Sequence, residues 1–220
     1  MKCFVFGAGE FYGMPYAPDE KDYIIAADGG YEYVKQCNLT ADYVIGDFDS
    51  LGFVPEHDNV EVHPVMKDDT DMFMAVKKGM ELGYKEFVIY GGLGGRTDHS
   101  ISNIQTAAYL AKEGCVCYLI GSDMVITVIS GSISFEKGYE GKLSVFAHGD
   151  NAYGVNINGL LYEVSDYIME NTKPIGVSNE FTGKEASVSV EKGMLQIMWE
   201  INTHMKLPCI TNVKVTKEIK

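Results

Sequence analysis

The sequence predicts an α/β N-terminal domain with a mostly parallel sheet, followed by an all-β C-terminal sandwich domain. Three observations carry that prediction. Short apolar runs alternate with stretches of helical periodicity in the first half. The period becomes two after about Gly121. Finally, aspartate or glycine follows most of the first-half apolar runs, where open parallel sheets place their ligands.

The elements follow in order. Residues 3–6, 23–27, 43–45, 87–90 and 116–120 are short, continuously apolar strands of the kind buried on both faces. A short helix fits residues 31–37. A second fits 70–82, with Phe73, Val76 and Met80 on one face, and a third fits 100–112, with Ile101, Ile104, Ala108 and Ala111 on one face. Strand–helix alternation implies right-handed crossovers and parallel pairing. Further on, Ile133/Phe135, Val155/Ile157, Val188/Val190 and Leu195/Ile197/Trp199/Ile201 alternate with polar residues. Turns at Gly138, Gly141, Gly159, Gly183 and Gly193 separate these runs, which is the pattern of antiparallel strands in a sandwich. The boundary falls near residues 122–131, giving domains of 1–125 and 126–220. The locally basic stretch 206–220 is an edge strand or a loose tail.

Composition narrows the function. The chain has 220 residues, 46% hydrophobic and 22% charged, enough to bury a core. Its net charge of -13 argues against generic duplex nucleic-acid binding, which needs basic groups to neutralise phosphates. A small phosphorylated ligand stays possible, because a metal can supply positive charge. No apolar run reaches the ~18 residues of a membrane span, and the apolar stretch at the start is too short for a secretory signal. The five cysteines form no CxxC pair, with Cys115 and Cys117 on one side of a strand, so reduced thiols in a cytoplasm are expected.

Four segments hold the chemistry. They are Asp28-Gly29-Gly30, Gly46-Asp47-Phe48-Asp49-Ser50, Lys67-Asp68-Asp69-Thr70-Asp71 and Gly91-Gly92-Leu93-Gly94-Gly95-Arg96-Thr97-Asp98. Any one of them is explained by turn and cap chemistry, and Asp69 or Thr70 fits a helix cap. Together they put many acids on one rim. Carboxylates ~5 Å apart repel by about 3 kcal/mol per pair at an effective dielectric near 20. A cluster of Asp47, Asp49, Asp71 and Asp98 therefore raises its own pKa values or recruits a divalent cation. An all-oxygen set without a histidine or thiolate group favours magnesium or calcium over zinc. Arg96 is the single arginine of the chain, set among glycines that let backbone amides approach a ligand. Its planar guanidinium suits phosphate oxygens, and a salt bridge to Asp98 is compatible with that role. The P-loop and dinucleotide fingerprints both fail, and Gly7–Gly13 reads as a turn after the first strand.

In this order and spacing, the four segments resemble those of the thiamine pyrophosphokinase family. Asn158-Gly159-Leu160-Leu161-Tyr162 and Gly176-Val177-Ser178-Asn179-Glu180-Phe181 are similar to its C-terminal signatures. Leu161 departs from the lysine that bacterial members often carry. The resemblance implies transfer of the terminal diphosphate of ATP to the thiamine hydroxyl, giving thiamine diphosphate and AMP. It also implies a magnesium-dependent reaction and a homodimer with active sites between subunits. By matching position, Asp47, Asp49 and Asp71 would hold the metal, with Asp98 beside it. Arg96 with Asp28, Gly29, Thr70 and Thr97 would hold the nucleotide, and Ser178 and Asn179, with Asp98, would meet thiamine. Asp71 or Asp98 would accept the hydroxyl proton, and Arg96 would neutralise developing charge. Phe181 is a core residue or a platform for the thiamine pyrimidine, whereas the alternation places Trp199 in the sandwich core.

Two other readings share these residues. Asp47-Phe48-Asp49 is a DxD element of the sort that nucleotide-sugar transferases use to hold a metal on a diphosphate. A nucleotide or thiamine sensor would have the same pocket without turnover.

Overall fold

The computed structural model describes residues 1–66 and 68–214. It divides into two compact units, residues 1–106 with 118–122, and residues 107–117 with 123 onward.

The first unit follows the order β1 (Cys3–Phe6), β2 (Tyr23–Ala27), α1 (Gly30–Gln36), β3 (Tyr43–Gly46), β4 (Val60–Val62), α2 (Asp71–Glu81), β5 (Glu86–Tyr90), α3 (Thr97–Lys112) and β6 (Val116–Ile120), the last two shared in sequence with the second unit. Its strands lie in the order β6-β5-β1-β2-β3-β4. Every pairing from β5 to β4 is parallel. The parallel register points the carboxyl ends of these strands the same way, which collects the acidic and glycine-rich segments on one rim. β1, β2 and β5 are almost wholly buried, as expected of strands covered on both faces. No helix joins β1 to β2, and residues 7–22 make that connection as an extended loop.

The helices bury faces that only partly coincide with those the apolar periodicity selects: Val76, Ala108 and Ala111 are buried as expected. In α2 the buried residues are Met72, Met74, Ala75, Val76 and Gly79, while Phe73 and Met80 are only half-buried. Gly79 explains the rotation: a Cβ there would lie 2.6 Å from the Phe87 ring and 3.0 Å from the Cys3 sulfur, so the helix rests on β1 and β5 through its smallest residue. In α3, Asn103, Thr106, Ala107, Leu110 and Ala111 are buried, whereas Ile101 is 55% exposed. The N-terminal turns of α3 give their inner face to polar residues and leave Ile101 outside, while the later turns bury Ala108 and Ala111.

The second unit continues with β7 (Met124–Ile129), β8 (Ser132–Phe135), β9 (Lys142–Ala147), β10 (Ala152–Asn158), β11 (Val164–Met169), β12 (Asn179–Glu180), β13 (Ala186–Ser189), β14 (Leu195–Glu200) and β15 (Cys209–Thr211). They pair antiparallel as β12-β9-β14-β7 and as β11-β10-β13-β8-β15. Leu195, Ile197 and Trp199 of β14 are fully buried while their neighbours are half-buried, the signature of one face packed inward. The rings of Trp199 and Phe135, one from each set, meet edge to face at 5.5 Å. The edge strand β15 takes the start of the basic stretch. Residues 215–220 of that stretch lie outside the described residues.

Candidate active site

The rim of the first unit encloses a cavity of about 730 Å³. The segments after β1 to β5 contribute to it. β1 gives Gly7 to Glu10, β2 gives Asp28, and β3 gives Asp47, Asp49 and Ser50. The approach to α2 gives Val65 and Asp69 to Met72, and β5 leads to Gly91, Gly92 and Gly94 to Arg96. Tyr33 from α1 and His99, Ser102 and Asn103 from α3 complete the wall.

Asp28 is the most constrained of these residues. It is 6% exposed and sits at φ +49, with its backbone N–H donating to Ile45 O at 2.9 Å. Its Oδ2 accepts a hydrogen bond from Ser50 Oγ at 2.5 Å. Among the described residues, its buried Oδ1 has no hydrogen-bond partner. Burial pushes its pKa up, the bonds from Ser50 and Gly29 oppose that, and the charges of Asp71 and Asp47 add to the rise. One carboxylate oxygen from each of Asp28, Asp47 and Asp71 lies within 4.8 Å of the others. A buried aspartate with one unpartnered oxygen, grouped with two further carboxylates, fits a hard divalent cation.

Backbone strain helps to present Asp47. Phe48 takes φ +58 and is 2% exposed, so the DxD segment turns on a buried aromatic residue in a region that side chains rarely adopt. That turn puts Asp47 in the trio. Asp49 lines the cavity but is outside the three-carboxylate group, and its backbone N–H donates to Asp47 Oδ1 at 3.3 Å. Asp71 opens α2 directly after the N-cap Thr70, whose hydroxyl accepts from Phe73 N at 3.2 Å. Thr70 thus both caps the helix and lines the cavity. Gly29 packs between Ala8 and Ser50, where a Cβ would come 3.1 Å from the Ala8 Cβ.

Arg96 and Asp98 form a bidentate pair, with Nε to Oδ1 at 3.1 Å and Nη2 to Oδ2 at 2.7 Å. Both side chains are about two-thirds exposed, at 71% and 66%. The guanidinium holds the Asp98 carboxyl at about 2 and, in return, the Arg96 pKa is raised. Arg96 faces the cavity. Asp98 is occupied by Arg96 and by the His99 backbone N–H at 3.0 Å, and Thr97 begins α3 beside it.

Ser178 and Asn179 belong to the second unit. Ser178 is at φ +58, and its N–H donates to Ser144 Oγ at 3.1 Å. Asn179 is buried; its Oδ1 accepts from Tyr162 N and Glu180 N, each at 2.9 Å, and its Nδ2 donates to Tyr162 O at 2.7 Å. Its amide thus ties β12 to the turn at residues 160–162. Phe181 packs in the core against Phe135 at 5.0 Å and Tyr139 at 5.3 Å, so the structure settles its place as a core residue, and Trp199 is fully buried as expected.

Comparison with known proteins agrees with this geometry. Residues 16–119 match the family model described as thiamin pyrophosphokinase, catalytic domain, and residues 131–195 match that described as thiamin pyrophosphokinase, vitamin B1 binding domain. The chain belongs to the thiamin pyrophosphokinase family. It has both of the family's domains and is an enzyme with thiamine pyrophosphokinase activity. A curated thiamine pyrophosphokinase of Bacillus subtilis is 25% identical over 186 residues, covering 80% of this chain and 86% of the relative. Thiamin pyrophosphokinase 1 of Caenorhabditis elegans is 24% identical over 187 residues, covering 79% and 77%. The crystal structure of the Bacillus subtilis thiamine pyrophosphokinase shares the fold, with a TM-score of 0.81 at 21% identity, covering 92% of this chain and all of that one.

Several wall residues of this thiamin pyrophosphokinase family member have no motif in the sequence reading: Gly7 to Glu10, Tyr33, Ser102 and Asn103. Gly7–Gly9 is more than a turn, because Gly9 N donates to Gly91 O at 2.9 Å and Gly7 N to Tyr90 O at 2.8 Å. Asn103 donates from Nδ2 to Gly92 O at 2.7 Å and so supports the glycine-rich loop. The usable signal for Asn103 is spacing: it stands four residues after His99 on α3, so the two share a helical face.

Proposed function

We propose that the cavity of the first unit binds ATP with magnesium, and that Asp28, Asp47 and Asp71 are the side chains that hold the ion. The observation that carries this reading is the trio itself, with its unpartnered buried Asp28 oxygen. Bound there, magnesium would supply positive charge against the phosphates and the three carboxylates. Asp49 lines the same cavity and would add negative charge near the ion. On this reading residues 1–125 are the nucleotide- and metal-binding domain, and 126–220 provide thiamine binding and dimerisation.

The chain's own residues then divide the work. Arg96 leaves Asp98 for the transferred phosphates, where its two donor faces can follow the charge as it develops. Gly29, Gly91 and Gly92 allow close approach, and Thr70 and Thr97 flank the nucleotide. The thiamine hydroxyl oxygen attacks the β-phosphorus of ATP, the bond from that phosphorus to the AMP oxygen breaks, and the hydroxyl proton goes to a carboxylate. Asp71, one of the three grouped acids, is the acceptor in this account, and Asp98, freed as Arg96 turns to the phosphates, is the alternative. The strongly acidic rim attracts the fixed positive charge of thiamine. Ser178 is the thiamine contact in the second unit, on a turn whose shape Asn179 maintains.

A homodimer with active sites shared between subunits belongs to the same reading, supported by the family membership. A cytoplasmic location is supported by five free cysteines and by the lack, among the described residues, of a helix long and apolar enough to cross a membrane.

The test uses ATP labelled at the β-phosphorus, with magnesium and thiamine. Label in thiamine diphosphate with an equal yield of AMP is the expected result. Binding of both ligands without product would make the protein a sensor. Absence of AMP here, with consumption of a sugar nucleotide in a parallel reaction that supplies one, would make it a transferase of the DxD type.

A further inference from the structure

The loop between β1 and β2 is fastened to the cavity wall along its length. Tyr33 donates from its hydroxyl to Gly9 O at 2.8 Å, and the Phe11 ring stacks on Tyr33 with centroids 5.0 Å apart. Further along, the buried Tyr90 hydroxyl donates to Tyr16 O at 2.7 Å and accepts from Tyr16 N at 3.1 Å. Between these ties, Glu10 and Tyr12 reach over the glycine-rich loop, where the Tyr12 hydroxyl donates to Glu10 Oε2. A Cβ on Gly94 would come 2.4 Å from that hydroxyl and 2.7 Å from Glu10 Oε2. A Cβ on Gly95 would lie 3.8 Å from Glu10 Cγ and 3.9 Å from Oε1. The pair therefore lies flat across two glycines, at φ +82 and +62, immediately before Arg96.

We propose that Glu10 and Tyr12 form a clasp that positions Arg96 for the nucleotide. The inference rests on the reading of this cavity as the ATP site. Two consecutive left-handed glycines leave the Arg96 loop with wide conformational freedom. A bond closed across them removes that freedom before the nucleotide arrives, so less ordering remains for binding to accomplish. The clasp also settles the Glu10 charge. A carboxylate facing incoming phosphates would repel them, whereas one bonded to the Tyr12 hydroxyl has its charge directed to a donor. Both are positioning residues that act through the glycine loop.

The experiment compares Glu10→Ala, Glu10→Gln, Tyr12→Phe and the Glu10→Ala/Tyr12→Phe double variant with the wild type. It measures kcat, separate KM values for ATP and thiamine, calorimetric affinity for a non-hydrolysable ATP analogue, and the melting temperature. Glu10→Ala and Tyr12→Phe are each expected to raise the KM for ATP and weaken analogue binding about five- to tenfold, the scale of one ordinary net hydrogen bond. The KM for thiamine and the melting temperature hold. The double variant is no worse than either single one, because both break the same link. Glu10→Gln keeps an acceptor for the Tyr12 hydroxyl and recovers most of what Glu10→Ala loses. Wild-type nucleotide affinity in Tyr12→Phe overturns the clasp. So does a Glu10→Gln protein as impaired as Glu10→Ala, because the charge itself is then what matters. If the wild type binds no analogue while remaining folded, the nucleotide reading of the cavity fails, and the clasp with it.

Discussion

Two groups of acids on one rim have opposite electrostatic characters. At the ends of β2 and β3 and the start of α2, Asp28, Asp47 and Asp71 bring three carboxylate oxygens within 4.8 Å, with Asp28 buried and its pKa raised. Past β5, Asp98 is exposed and bonded to Arg96, with its carboxyl held at about 2. The first group is crowded, and the second is already neutralised by Arg96. A crowded trio is an arrangement that a divalent ion completes. An exposed ion pair is weak in water and exchanges partners cheaply, which suits an arginine that must release one acid and take up phosphate. The difference teaches that the acids the sequence groups together do two separate jobs.

The first way to break this contrast is to remove a charge from each group. Asp71→Asn is expected to lower turnover at least ~100-fold, typical of losing a general base or a metal contact. Asp98→Asn is expected to lower it by less, because the Asp98 carboxyl is tied to Arg96. Steady-state assays with saturating magnesium check both, and equal losses would erase the distinction. Next, Arg96→Lys keeps a charge but loses the bidentate fork, and a rise of about tenfold in the KM for ATP is expected. Unchanged ATP kinetics would detach Arg96 from the nucleotide.

Smaller effects fall on stability. Thr70→Ala removes the cap on α2 and is expected to cost about 1 kcal/mol in chemical denaturation. Unchanged stability would mean that Asp71 is positioned without it. The pH dependence is the finest test. Because the folded-state pKa of Asp28 is raised, the folded state binds more protons between the ordinary carboxylate value and the raised one. The magnesium-free protein is therefore fully stabilised below the ordinary value and loses that contribution as the pH rises through the raised one. Asp28→Asn should flatten this part of a denaturation series measured without magnesium. A series with the same slope in both proteins would place the crowding elsewhere.

The contrast also shows what was legible in the sequence. Strand ends are readable, because continuous apolar runs mark β1, β2, β3 and β5, and parallel pairing sends the residues after them to one rim. Asp28, Asp47, Asp71 and Arg96 reach the cavity for that reason. How the acids group is another matter. The sequence pattern links Asp47 to Asp49 through the DxD spacing and assigns Asp28 to the nucleotide, yet Asp28 stands with Asp47 and Asp71 in the three-carboxylate group. A one-residue turn at φ +58 decides this, and nothing in the composition of Asp47-Phe48-Asp49 announces it. Helix faces were legible only in part, with Val76, Ala108 and Ala111 buried as expected, for a related reason. A count of apolar spacing cannot detect that the inner face of α3 is wanted by Asn103 under Gly92, which leaves Ile101 in water. Glu10 and Tyr12 were illegible because their meaning depends on glycines more than eighty positions later, a contact that only the fold creates.

The account turns on whether the trio binds the ion. The most direct measurement is calorimetric titration of magnesium, with a non-hydrolysable ATP analogue present, into the wild type and into Asp28→Asn, at a pH where the other acids are ionised. The account predicts clear binding in the wild type and at least a tenfold loss in Asp28→Asn, as expected when a buried charged ligand to a hard cation is removed. Equal affinity in the two proteins would contradict it.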